Sequence, residues 1–246
     1  MATSNSTNFV VNRDDIINRA LRLCSAIGQG EVGDPTAVTE AALALNLIVK
    51  ERQADGMQLW KVITNSFPML ASTNTYNIGI GQTVNQTAPL KIIQAWIRNT
   101  TNSADSPINI ISKQEYDRYG IKTSPGTPSQ LFYKTPGAIQ TDMQGTAYLY
   151  PTPDANAVST GTFFFTGIYP LQDFDVSTDN PDFPSYYYNA LCWLLADELS
   201  TEYGVPLAER GMISKKAQEH LAMALSFDQE EGSFYVQGDP FSQGND

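Results

Sequence analysis

Residues 161–204 read GTFFFTGIYPLQDFDVSTDNPDFPSYYYNALCWLLADELSTEYG and hold both structural regimes of this chain in one stretch. Thr162 to Ile168 is a short run of Thr, Phe and Ile bounded by glycine and, two residues on, proline, the composition of a strand. From Pro184 the period changes. Tyr187, Leu191, Leu194, Leu195 and Leu199 fall on one face of a helix that Gly204 stops. The loop between them carries Asp173, Asp175, Asp179 and Asp182 and no base. This junction of strand, acidic loop and helix sets the terms for the rest of the chain.

Upstream, from about residue 60, runs rich in Ile, Tyr, Phe and Thr alternate with Gly and Pro. They are Tyr76–Ile78, Leu90–Ile97, Ile108–Ile111, Leu131–Tyr133 and Tyr148–Tyr150. Short strands at this spacing predict an antiparallel sandwich or barrel-like module. Ser112 and Glu115 fit a capping box for one helical turn inside it. Ahead of the strands, Ile16, Ile17, Ala20, Leu21, Cys24 and Ile27 predict an amphipathic helix over 13–27, closed by Gly28. A second helix is predicted from Asp34-Pro35 to Asp55, with Val38, Ala41, Ala42, Leu45, Ile48 and Val49 inward. A fourth runs from Pro206 to Phe227 on Ile213, Ala217, Leu221, Ala224 and Leu225. The expected fold is α+β: an antiparallel four-helix bundle, two helices N-terminal and two C-terminal, with an inserted antiparallel β domain and an extended C-terminal tail. The expected divisions are 1–59, 60–175, 176–228 and 229–246.

Charge divides the chain. Residues 1–134 hold 12 Lys/Arg against 10 acids, while residues 135–246 hold 3 against 16, and no Lys, Arg or His occurs between 135 and 209. An acidic half repels polyanions, which argues against gripping nucleic acid there and fits a wall that DNA slides past. At 246 residues, 41% hydrophobic and 17% charged, the composition is that of a folded protein. A polar N-terminus and the lack of any long apolar run predict neither signal peptide nor membrane span, hence a soluble protein made in the cytoplasm.

Catalytic and ligand-binding patterns are thin. Gly28-Gln29-Gly30-Glu31-Val32-Gly33 matches a dinucleotide fingerprint by letters but follows a helix rather than a strand, and Glu31 would repel phosphate, so it is read as a helix–helix turn. His220 is the only histidine, and Cys24 and Cys192 are too few for a disulfide framework or zinc site, so no metal or cofactor is expected. Paired acids, Glu198 with Glu202 or Asp173 with Asp175, have the residue types that a peptidoglycan hydrolase would need. Among 26 acids such pairs arise by composition, and a solvated face is the simpler account. Phe163–Phe165 and Tyr186–Tyr188 lack neighbouring bases and read as core or subunit interface rather than base-stacking surfaces.

Several strings together resemble the head-to-tail adaptor, or packaged-DNA stabilisation, proteins of short-tailed bacteriophages. They are the helix Ile16–Ile27, Asp34-Pro35, Gly126-Thr127-Pro128 before Leu131-Phe132-Tyr133, Tyr148–Asp154, Phe183-Pro184, Asn189-Ala190-Leu191, Leu194–Leu199 and Glu202-Tyr203-Gly204. The resemblance covers about residues 13–235 and implies a structural virion protein, not an enzyme. It further implies a twelve-fold ring between the portal protein and the tail nozzle protein, with tail fibres as a further candidate partner. DNA would pass through the ring without specific binding, along walls for which Asp173, Asp175, Asp179 and Asp182 are the candidate acids. The tail, with Phe234, Tyr235 and Phe241 among acids, is expected to dock on the portal or a neighbouring subunit.

Overall fold

The computed structural model describes residues 3, 5–55, 59–137 and 143–228. Helix α1, Arg13–Leu23, begins at Asn12, whose side chain accepts from the Asp15 amide at 2.8 Å while Asp15 accepts from the Asn12 amide at 3.2 Å. This capping box satisfies two amides that an open helix end would leave unpaired. The helix stops short of the expected residue 27. Ser25 takes a left-handed φ of 58° and turns the chain off the axis, so Ile27 reaches the core from a loop. Helix α2, Pro35–Asp55, starts where the capping acid predicts, with Asp34 accepting from the Thr36 and Ala37 amides at 2.9 and 3.1 Å.

A 3₁₀ turn at Leu59–Lys61 leads into β1 (Val62–Pro68), β2 (Thr75–Gly79), β3 (Val84–Asn85), β4 (Lys91–Asn99) and β5 (Asp105–Ile110). The capping box at Ser112 then opens α3 (Lys113–Asp117), followed by β6 (Pro125–Gly126), β7 (Gln130–Lys134), β8 (Gly145–Tyr150) and β9 (Thr152–Pro153). Helix α4 (Ala155–Thr160) and β10 (Gly161–Ile168) complete this region. After a second 3₁₀ turn at Ser185–Tyr187 come α5 (Tyr188–Glu202) and α6 (Leu207–Phe227).

The expected antiparallel insert is instead a mixed sheet. Its eight strands run β1-β10-β4-β5-β7-β8-β2-β3, with β5–β7 and β2–β3 parallel, and β6 pairs with β9 apart from it. Antiparallel neighbours can be joined by a tight hairpin, but a parallel pair needs a crossover. The segment holding α3 and β6 provides that crossover between β5 and β7. The sheet also curls into a nearly closed barrel. Phe67 on β1 and Tyr76 on β2 lie on the first and seventh strands of that order, yet their rings are 4.9 Å apart. Phe163, Phe165, Ile78, Leu131, Ala147 and Leu149 fill the interior, and β8 and β10 alternate inward and outward along their length. Gly145 is needed for a close approach. Tyr133 crosses it to donate to the Pro89 carbonyl at 2.7 Å, and a Cβ there would stand 1.9 Å from the tyrosine hydroxyl.

The expected four-helix bundle is the second correction. Helix α5 is a hub that packs on α1, α2 and α6 and buries Leu191, Leu195, Ala196 and Leu199. Helix α6 packs chiefly on α5 and the turn before it, and buries only Ile213, Ala217 and Ala224. A bundle helix must cover two neighbours, and this narrow stripe of one isoleucine and two alanines is wide enough for one. The helical core and the barrel core are separate clusters, joined where the chain leaves and returns. There Val62 pairs with Ile168, the Tyr169 amide donates to the Lys61 carbonyl at 3.0 Å, and the Trp60 indole donates to the Asp182 carbonyl at 3.1 Å.

Candidate functional site: two acidic surfaces

The loop of residues 171–183 runs back from the barrel to α5 and holds the four acids singled out in the sequence. Buried Leu171, Phe174 and Phe183 anchor it in the helical core. The Asn46 side chain on α2 accepts from the Phe174 amide at 2.9 Å and donates to its carbonyl at 3.1 Å, as a neighbouring strand would. Gln53 accepts from the Leu171 amide at 3.0 Å, and the Arg13 amide at the start of α1 donates to the Asp179 carbonyl at 2.8 Å.

Three of the four carboxylates are spent on this attachment. Asp182 forms an ion pair with Lys61 and accepts from the Gln172 amide at 3.1 Å. Asp173 meets Lys50 at 2.5 Å, and the same lysine donates to the Leu171 carbonyl at 3.1 Å. Asp179 accepts from the Asp175 and Val176 amides, both at 2.7 Å, and so shapes the loop. Asp175 is exposed, and its backbone carbonyl rather than its carboxylate receives Arg13. Asp173, Asp175 and Asp179 line an open polar hollow of about 560 Å³ with Gln172 and Asn180. The stretch without bases in sequence therefore borrows Lys50 and Lys61 in space.

The second acidic surface is a groove of about 450 Å³ between α2 and α5, lined by Glu40, Leu43, Ala44, Leu47, Ile48, Glu51, Glu198 and Glu202. Glu198 and Glu202 come together here, one turn apart, while Asp173 and Asp175 stay in the loop. Glu51 pairs with Arg52 at 2.8 Å, but no base pairs with Glu40, Glu198 or Glu202 among the described residues. Leu43 and Leu47 on the groove wall are 64% and 63% exposed. Glu40, Leu43, Leu47 and Glu51 went unnoticed in the sequence. Their signal was there, since the outward stripe of α2, opposite the buried one, carries two leucines where polar residues are usual.

The remaining candidates are scattered. Gly28–Gly33 is the turn between α1 and α2, with the Gly33 amide donating to Asn18 at 2.9 Å. The His220 ring stacks on Trp193 with centroids 6.0 Å apart and lies 3.2 Å from the Asn189 amide nitrogen. Burial pushes the Cys192 thiol up to about 11 and also raises that of Cys24, which suits small apolar fillers rather than nucleophiles. Phe163 and Phe165 are barrel core, and Phe164 stacks on Trp96 outside it beneath the Arg98 guanidinium. Phe234, Tyr235 and Phe241 lie outside the described residues. No described helix is long and apolar enough to cross a membrane.

No curated protein sequence matches the chain. The family model of the SU10 adaptor protein matches residues 11–233, a span that takes in α1, the barrel, the acidic loop, the groove and α6. With nearly its whole length matched, the chain belongs to the SU10 adaptor protein family, a family of bacteriophage head-to-tail adaptors, and is thus a structural protein of the virion.

Proposed function

We propose that the protein forms a ring, with twelve copies, that joins the capsid portal to the tail nozzle and leaves an acidic channel for DNA. The family match over residues 11–233 carries this reading. The charge distribution supports it, because residues 135–246 hold 16 acids and 3 bases, and a surface of that sign repels the phosphate backbone. Among the channel candidates Asp173, Asp175, Asp179 and Asp182, Asp175 offers the most accessible carboxylate, since Lys50, Lys61 and the loop amides occupy the other three. The role is mechanical rather than catalytic, at the head–tail junction, after synthesis in the host cytoplasm. Phe234, Tyr235 and Phe241 serve as anchors for the portal or a neighbouring copy, because aromatic side chains supply much of the energy at small interfaces.

Electron microscopy of the full chain with its portal protein tests the assembly. A closed ring on the portal is the expected result, and a small oligomer unchanged by portal overturns it. Duplex DNA should show no submicromolar binding in a gel shift at about 150 mM salt. Removing residues 232–246 should weaken portal binding by about tenfold or more and leave the melting temperature nearly unchanged.

A further inference from the structure

The acid-rimmed groove has a counterpart on the same chain. The outer face of α6, opposite its buried Ile213, Ala217 and Ala224, shows Met212 and Met223, each 64% exposed, together with Lys215 and Lys216. Glu219 lies between the lysines and pairs with Lys216 at 2.7 Å, which leaves this face with one net positive charge. Groove and helix face thus match in chemistry: leucines against methionines, unpaired glutamates against lysines. They cannot meet within one chain. Helices α2 and α6 both pack on α5, and the lysines of α6 point away from that contact.

We propose that the groove between α2 and α5 of one copy receives the outer face of α6 of the next. Leu43 and Leu47 then pack on Met212 and Met223, and Glu40, Glu198 and Glu202 face Lys215 and Lys216. The two patches are different surfaces, so the contact is heterologous and propagates from copy to copy until it closes, which is how a ring is built. It also offsets locally the repulsion between chains of net charge −11. Methionine suits this role, because its flexible thioether fills an irregular groove. This inference rests on the ring reading above and names the surfaces that make the ring.

A charge-swap pair tests it with the full chain and its portal protein. All four substituted positions are exposed, so folding should be unaffected, and circular dichroism melting confirms this for each variant. The chain with E198K and E202K has a basic groove and a basic α6 face. The chain with K215E and K216E has an acidic groove and an acidic α6 face. Each repels its own kind and complements the other at both patches. Each variant alone should lose ring assembly on the portal by about tenfold or more, read by sedimentation velocity, and an equimolar mixture should restore it. If each folded variant assembles like the natural chain, or if the mixture stays unassembled, the interface is elsewhere and the ring reading survives. If the natural chain itself forms no ring with portal, both readings fall together.

Discussion

The loop of residues 171–183 and the groove between α2 and α5 each gather four carboxylates, yet they relate to the fold in opposite ways. In the loop, Asp182, Asp173 and Asp179 are consumed by Lys61, Lys50 and backbone amides, and they fasten the return path from barrel to helices. In the groove, Glu40, Glu198 and Glu202 have no base among the described residues, and leucines left exposed separate them. The loop acids hold the chain to itself. Those three glutamates are unspent and therefore available to another chain. Acid density along a sequence cannot separate these cases, because what separates them is whether a lysine distant in sequence arrives nearby.

That contrast can be broken by removing the acids one at a time and following urea unfolding. Asp182→Ala should cost the most, about 2–3 kcal/mol, since it strands a Lys61 that is only 12% exposed and removes the acceptor for the Gln172 amide. A loss below about 0.5 kcal/mol would make the loop acids as dispensable as surface charges. Asp179→Ala comes next, at about 1–2 kcal/mol, because two loop amides lose their acceptor.

A third kind of acid sharpens the comparison, one buried with no base paired to it among the described residues. Asp228 at the end of α6 is 7% exposed, and one of its oxygens has no hydrogen-bond partner among the described residues. Burial raises its pKa against the smaller opposing effects of the Leu59 backbone and the Tyr187 hydroxyl. A carboxyl whose folded pKa lies above its unfolded value adds stability below the unfolded value and loses it as pH rises through the folded one. Asp228→Asn should therefore be more stable than the natural chain at neutral pH, and the gap should close as pH falls below the ordinary carboxylate range. Thermal melts across that range read the difference; a gap that widens on acidification reverses the assignment. The smallest effect belongs to the groove. Glu198→Ala and Glu202→Ala should each shift stability by less than about 0.5 kcal/mol, in either direction. A larger loss would mean that these glutamates serve their own chain after all.

Much of this was legible in the residues, and the gaps have physical causes. Helices α2, α5 and α6 and most strands followed from apolar period, capping acids and turn glycines, because those signals are local. The missed strand β1 buries only Phe67 fully and shows Ile63 and Thr64 outward, so the alternation that marks a strand is absent. Helix α4 is too short for periodicity, although its signal was present in Asp154, which accepts from the Ala157 amide at 2.7 Å. The mixed strand order and the hub at α5 depend on pairings between distant segments that no local pattern encodes. Of the acids, Glu198 and Glu202 stood out in the sequence as neighbours one helical turn apart, but their setting depends on Glu40, Leu43 and Leu47 from another helix.

The side-by-side crossing at Val62 and Ile168 bears on how such a chain can change over evolutionary time. Paired antiparallel residues stand about 5 Å apart, so the host helices meet the barrel through an entrance and an exit that nearly coincide. A module hung on such a doorway can be lengthened, pruned or exchanged for another of the same footing without rerouting the polypeptide that carries it. Grafting a foreign barrel between Val62 and Ile168 is then a question of matching two neighbouring strand ends.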